Sequence, residues 1–380
     1  MDSKIGAQFS RHYKKGPSVF AAPGRINLIG EHTDYNQGFV LPGAIDKRIY
    51  LAIAKNDQSV LNVYANQYSE QRSFSLAQIK PTRDWTTYLL GIVYNLQQQG
   101  RHIGGVDIVL DGDIPLGAGM SSSAALCSAF GFALNELFNL GLSSMDLALL
   151  GQATEHNFAG VQCGIMDEFA SLHGKAGYVM KLDCRSLKYE YIPFYFPDHR
   201  IVLVNTMVTH SLASTEYNIR RKQCEAGVAA LKKYYPEISS LRDLSPQILA
   251  EHQHELEGTV FRRCSFVIEE NDRLLRGCEY LRKGDLDSFG ELMFLAHEGL
   301  SKWYEVSCRE SDFLVGLARS FPGVLGSRQM GGGFGGCTIN IVAADAVDDF
   351  SKFVQEGYAR QFDIQPKIYI TQIEDGAKKI

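Results

Sequence analysis

VDIVLDGDIPLGAGMSSSAALCSAFGFALNELFNL, residues 106–140, is the stretch that decides the fold. Residues 106–111 are apolar or β-branched, closed by glycine and aspartate, and predict a strand. Residues 121–140 are rich in Ala and Leu at helical spacing and predict a helix opened by a run of serines. Between them Gly117 and Gly119 remove side chains where the backbone would approach a ligand. The free N–H groups and dipole of a helix start favour an anion there. Ser121, Ser122 and Ser123 add hydroxyl donors and an oxygen for a metal. A triphosphate suits such a loop; a tight turn with Ser121 as a plain N-cap fits the same residues. No G-x-x-x-x-G-K-[ST] occurs, so the loop is not of the Walker type.

Two other glycine segments extend the pattern. GSRQMGGGFGGC (326–337) formally contains G-x-G-x-x-G, but a β-type run follows it at 337–343. A dinucleotide fingerprint needs a helix there, so that reading fails. The segment reads as a loop pressed on phosphates or on the first loop, or as a plain strand–turn–strand. PGRINLIGEHTDYNQG (23–38) packs Arg25, Glu31, His32 and Asp34 around Ile26, Leu28 and Ile29. Acids and an imidazole so close can read the hydroxyls of a polyol; a solvated polar loop is the alternative. LAIAK (51–55) resembles the lysine strand of protein kinases, yet no H-R-D or D-F-G follows.

At 380 residues the chain is long for one core, and two packed domains are expected, 1–195 and 196–380, divided near Pro193 and Pro197. Strands are predicted at 39–45 and 48–55, helices at 255–283 and 285–308, and strand–helix–strand at 337–343, 347–362 and 367–373. Segregated helices and mixed strands suggest an α+β layering. Lys plus Arg number 38 against 43 acids, so no basic footprint for nucleic acid exists and an anionic ligand must be held locally. The polar start MDSKIGAQFSRHYKK lacks the apolar region of a secretory signal, and no run reaches a membrane span. Eight scattered cysteines without a C-x-x-C pair fit reduced thiols in a cytoplasmic protein.

In order, these segments resemble the GHMP kinases and, within them, the galactokinase family. GRINLIGEHTDY (24–35) looks like the family's sugar signature G-R-x-N-L-I-G-E-H-x-D-Y. PLGAGMSSSA (115–124) looks like the phosphate loop P-x-G-x-G-x-S-S-S-A, and GGGFGGC (331–337) like the third motif. Glu155-His156, CGIMD (163–167) and STEY (214–217) with Arg220 and Arg221 are further matches, so the likeness runs from about residue 20 to 340.

The resemblance implies a two-domain α+β fold, with an N-terminal half like ribosomal S5 domain 2 and a ferredoxin-like C-terminal half. It implies an enzyme that uses ATP, Mg²⁺ and D-galactose and makes α-D-galactose 1-phosphate; a monomer is expected alongside, an expectation that no motif in the sequence carries. Asp167 is then the base beside the anomeric hydroxyl, with Arg25 next to it. Glu31, His32, Asp34, Gly164 and Tyr217 contact the sugar. Gly117, Gly119, Ser121, Ser122 and Ser123 hold phosphates, Ser123 and Glu155 bind Mg²⁺, and Trp85 and Tyr88 lie near adenine. Outside its motif His32 would read as a structural histidine, Trp85 and Tyr88 as core, and Tyr217 as packing. Phosphoryl transfer rests mainly on positioning and electrostatics, which suits such a set. Mg²⁺ takes oxygen ligands, and a carboxylate can accept the hydroxyl proton.

Three residues depart from the family pattern: Glu168 for a common Gln, which puts a further acid beside Asp167, Thr87 for Asn, and Met120 for Leu. None removes a reacting group. A non-catalytic sensor on the same fold would be expected to lose the serine loop or the base, and both are intact. Kinases of N-acetylgalactosamine or arabinose differ in room around C2 or C6 and stay open as alternatives.

Overall fold

Pro42–Lys55, a fourteen-residue strand, is the central rib of the N-terminal half. The computed structural model describes residues 2–115, 117–209 and 213–380. Six strands form the first sheet, in the order Lys378–Lys379, Ser18–Asn27, Pro42–Lys55, Val106–Gly112, Val60–Ala65, Glu70–Ser75. All neighbours are antiparallel except Val60–Ala65 and Val106–Gly112. A parallel pair needs a crossover, and the chain between them carries the helix Thr86–Gln98. Helix Ser122–Phe138 packs on the Ser18–Asn27 strand, and its residues from Ala124 to Gly131 are buried without interruption. That explains its nearly all-apolar sequence.

The strands predicted at 39–45 and 48–55 are joined differently. Phe39–Val40 pairs with Tyr178–Asp183 in a separate three-stranded sheet, and the rest is the continuous Pro42–Lys55. Asp46 and Lys47 look like a turn in sequence, but the Asp46 carboxylate accepts a hydrogen bond from Thr371, far along the chain. Helix Asp2–Tyr13 was not foreseen; Ile5 and Phe9, one turn apart, bury against Ala52 and Val109.

The C-terminal half follows the ferredoxin-like order. Strand His199–Thr209 leads into helices, then come Val324–Gln329 and Gly335–Ala343, helix Val347–Phe362, and strand Lys367–Thr371. In space these strands run second, third, first, fourth, all antiparallel, which is the split β-α-β arrangement. Helix Gly258–Arg282 lies where expected. The helix predicted to run to 308 stops early: Leu286–Glu298 widens into a π-turn, Gly299–Trp303, and then leaves the helical path. Arg263 and Arg220 take the carbonyls of Trp303, Tyr304 and Glu305, which a continuing helix would use itself.

One hydrophobic cluster spans both halves, from Phe20 and Phe130 to Leu274, Phe289 and Ile339. The three glycine segments meet at its edge. All eight cysteines are free thiols. Among the described residues no helix is long and apolar enough to cross a membrane.

Candidate active site

Strand Ser18–Asn27 changes register between Pro23 and Arg25, and such bulges re-aim side chains at sites. Gly24 sits in the bulge, where a Cβ would lie 2.6 Å from the Met120 carbonyl. Arg25 re-enters the ladder opposite Ala44, and its N–H donates to Met120 O (3.1 Å) and its Nη1 to Gly119 O (2.5 Å). The guanidinium thereby locks onto the glycine–serine loop at Gly119, beside the backbone bond to Met120. Its other edge grips Asp167: Nε donates to Oδ1 and Nη2 to Oδ2, each at 2.8 Å. This planar fork fixes the carboxylate in orientation as well as charge.

Asp167 stands in the first turn of helix Met166–His173, where the dipole favours an anion. Ser121 decides between the two readings of its loop. It takes a left-handed conformation (φ 54°) and does not cap the helix with its side chain; the hydroxyl donates to Asp167 Oδ2 instead. A non-glycine residue held there is a strained feature maintained by its surroundings.

Beside this pair lies a cavity of about 270 Å³, bordered by Arg25, Glu31, His32, Asp34, Gly164, Asp167 and Tyr217. Gly164 is there for lack of room: a Cβ would meet Asp34 Oδ2 at 1.9 Å. Burial pushes the Asp34 carboxyl up to about 6, and the Asp167 and Glu31 charges add to it. Burial likewise keeps His32 neutral by lowering it to about 4, with Arg220 working the same way against Glu31. Tyr217 and Tyr35 pack beside the His32 ring, with centroids 5.3 and 5.8 Å away.

Glu31 is held by a residue that sequence reasoning did not single out. Arg328 is fully buried and donates to the carbonyls of Asn27, Leu28 (2.7 Å) and Gln329 (2.6 Å), and to Glu31 Oε1 at 3.1 Å. Gly331 N donates to the same Glu31 oxygen at 2.8 Å. Burial works to raise the Glu31 carboxyl, but Arg328 and then Arg25 hold it below the usual range. The signal in the sequence was a charged residue at the mouth of the glycine run 331–336.

A second cavity, about 250 Å³, is bordered by Gly117, Gly119, Ser121, Ser122 and Ser123, and it shares Arg25, Gly331 and Gly332 with the first. The 326–337 segment is a strand–turn–strand that also borders the serine-loop cavity through Gly331 and Gly332. Glu155 is buried where helix Ser144–Thr154 widens into a π-turn, a distortion frequent at functional sites. Burial raises its carboxyl to about 7; hydrogen bonding from Ser123 acts in the opposite direction.

Glu168 is buried with both oxygens unpartnered among the described residues. Burial, then Glu155 and Asp167, push it well above the carboxylate range. The neutral acid is favoured, so the departure from Gln keeps the shape of the side chain and adds little charge. Tyr88 is half-buried and its hydroxyl hydrogen-bonds Ser123. Trp85 stacks on Tyr68 with centroids 6.0 Å apart; neither Trp85 nor Tyr88 borders the two cavities. The Ser214 and Thr215 side chains, and Leu116 of the phosphate loop, lie outside the described residues. A larger groove of about 560 Å³ between 194–197 and 371–373 contains no carboxylate and none of the residues of the three glycine segments.

Comparison with known proteins gives the same outline. Family models match for the galactokinase galactose-binding signature (residues 7–55), the N-terminal domain of GHMP kinases (87–175) and their C-terminal domain (279–360). A galactokinase of Roseiflexus sp. (strain RS-1) is 40% identical over 379 residues, covering 99% of this chain and 97% of its own. One from Chloroflexus aurantiacus is 41% identical over 360 residues, with 94% and 92% covered. The crystal structure of Lactococcus lactis galactokinase complexed with galactose superimposes with a TM-score of 0.96 at 33% identity, covering 100% of this chain and 99% of that one. Methanococcus jannaschii mevalonate kinase, at 18% identity and a TM-score of 0.68 over 95% of this chain and all of that one, shares the fold. With the sugar signature, both kinase domains and full-length likeness in agreement, this chain belongs to the galactokinase family of GHMP kinases.

Proposed function

We propose that the chain transfers the γ-phosphoryl group of ATP to the C1 hydroxyl of D-galactose, giving α-D-galactose 1-phosphate and ADP. The observation that carries this reading is the Arg25–Asp167 fork at the junction of two cavities. One cavity is bordered by carboxylates and an imidazole, the other by the serine loop. A carboxylate has about four acceptor positions; Arg25 and Ser121 use three on Asp167. One remains to take the C1 hydroxyl proton. Arg25, held between Asp167 and Gly119, stands where charge develops on the transferring group. Glu31, His32, Asp34, Gly164 and Tyr217 bind the sugar, and Gly117, Gly119 and Ser121 to Ser123 bind the phosphates. Trp85 and Tyr88 are assigned to the adenine side.

The cation is Mg²⁺, held by Ser123 and Glu155. The fit rests on donor chemistry: the two side chains face each other and offer only oxygen, which suits a hard cation completed by phosphate and water. When bound, it neutralises phosphate charge. The division between domains is placed between Pro193 and His199, where the chain leaves the three-stranded sheet. A cytoplasmic location is the accompanying proposal, supported by eight free thiols, and a monomer is proposed with it.

The test is a panel of monosaccharides with ATP and Mg²⁺, read as ADP formed. Galactose is expected to be phosphorylated and glucose hardly at all, because sites with buried polar groups reject a substrate that leaves them unpaired. Equal turnover of glucose or N-acetylgalactosamine would refute the substrate assignment.

The pH profile gives a second expectation. Asp34 sits at about 6, so below that pH it holds a proton and loses acceptor capacity. kcat/KM for galactose reports the free protein and should fall as pH drops through about 6, with a slope approaching tenfold per unit. By linkage, a raised carboxyl favours the folded state at low pH, and this contribution is lost as pH rises through the same range. Asp34→Asn should be poorer and should lack this acidic limb; an unchanged limb would assign it to another group.

A further inference from the structure

A chain of hydrogen bonds runs from the sugar cavity into the helical layer of the C-terminal half. His32 Nδ1 lies 2.7 Å from the Tyr35 hydroxyl, which lies 2.7 Å from the Tyr304 hydroxyl. The Tyr304 hydroxyl is in turn 3.3 Å from Cys224 Sγ on helix Ala213–Leu231. At the other end His32 borders the cavity; its buried Nε2 makes no well-formed hydrogen bond among the described residues, and the ring also feels the backbone of Gly332 on the same cavity wall. Tyr304 is fully buried against Phe266 and His32, both with centroids 4.8 Å away, and Arg220 Nε clamps its carbonyl at 2.8 Å.

The protons of this chain can be ordered in two ways, and chemistry favours one. If His32 carried its proton on Nδ1, each group would donate outward and the last strong hydroxyl donor would be spent on sulfur, a weak acceptor. In the reverse order the weak thiol donates to Tyr304, Tyr304 to Tyr35, and Tyr35 to Nδ1. Each phenol then meets a better acceptor, and the strongest match, phenol to imidazole, is made. Which ring nitrogen of a histidine is protonated follows from the bond made by the other.

We propose that Tyr304 is a positioning residue which, through Tyr35, fixes the tautomer of His32 so that Nε2 carries the proton and donates into the sugar cavity. The acids bordering the cavity, Glu31, Asp34 and Asp167, act as acceptors, and Arg25 is already committed to Asp167 and Gly119. A neutral imidazole with a fixed N–H supplies a directional donor to a sugar oxygen. The thiol of Cys224 has its place as the end of the chain that donates weakly and accepts weakly. This inference rests on reading the cavity as the sugar site.

The test uses the full-length protein and its Tyr304→Phe, Tyr35→Phe and double variants, read by galactose kinetics and by nitrogen NMR of the His32 ring. Tyr304→Phe should raise KM for galactose about tenfold, the usual order for one lost hydrogen bond, with kcat and KM for ATP nearly unchanged. It should also turn a single Nε2-protonated form into a mixture of tautomers. The double variant should be no worse than Tyr35→Phe, because Tyr304 acts only through Tyr35. Should Tyr304→Phe fail to fold, Tyr35→Phe reads the same tautomer. A wild-type ring protonated on Nδ1, or a tautomer and KM untouched by these changes, overturns the assignment. His32→Ala separates the two levels. An unchanged galactose KM there sinks the reading of the cavity itself, whereas a large rise with none in Tyr304→Phe sinks only the role of Tyr304.

Discussion

Asp167→Asn is expected to lower kcat by about 10²–10⁴, the usual worth of a positioned base, while galactose binding measured by calorimetry changes little. The substitution keeps the shape of the side chain and removes its basicity. Arg25 stays anchored, because its backbone N–H and Nη1 hold the phosphate loop through Met120 and Gly119 without help from Asp167. Ser121 keeps an acceptor in the remaining amide oxygen. The cavity beside Asp167 retains Glu31 on Arg328 and Gly331, so binding should survive. Loss confined to kcat marks an interaction made in the transition state. Turnover within a few-fold of wild type would remove Asp167 from the chemistry and leave Arg25 and the acidity of the anomeric hydroxyl to carry it.

The second large effect concerns stability. Arg328→Met should cost about 3–5 kcal/mol, because removing one partner of a buried pair leaves the other charge uncompensated. Here the stranded group is Glu31, 3% exposed, and the carbonyls of Asn27 and Leu28 lose their donors as well. The measurement is the urea midpoint at constant slope. Adding Glu31→Gln should recover part of the loss, since the stranded charge disappears, and that recovery separates charge from packing. A loss below about 1 kcal/mol, the order of an ordinary surface change, would mean that water replaces the guanidinium and that the clasp between the two halves is weak.

Much of the candidate site could be read as a cluster in the chain because local chemistry brings its residues together. A strand, two glycines and a serine run opening a helix make an anion cradle from contiguous residues. The sugar signature gathers Arg25, Glu31, His32 and Asp34 within ten positions. Helix Val347–Phe362 was readable to the residue, since its apolar positions repeat at helical spacing. What could not be read depended on partners distant in sequence. Ser121 looked like an N-cap, and only the arrival of Asp167 from 46 positions on turns its hydroxyl away from the helix. Asp46 and Lys47 looked like a turn until Thr371 reached the sheet. The helix predicted through 308 ends at Glu298, with the carbonyls beyond it taken by Arg220 and Arg263. Glu168 looked like an added charge, and burial favours its neutral form. Propensity and spacing act over one or two turns of chain; desolvation and long-range hydrogen bonds exist only once distant segments have packed against each other.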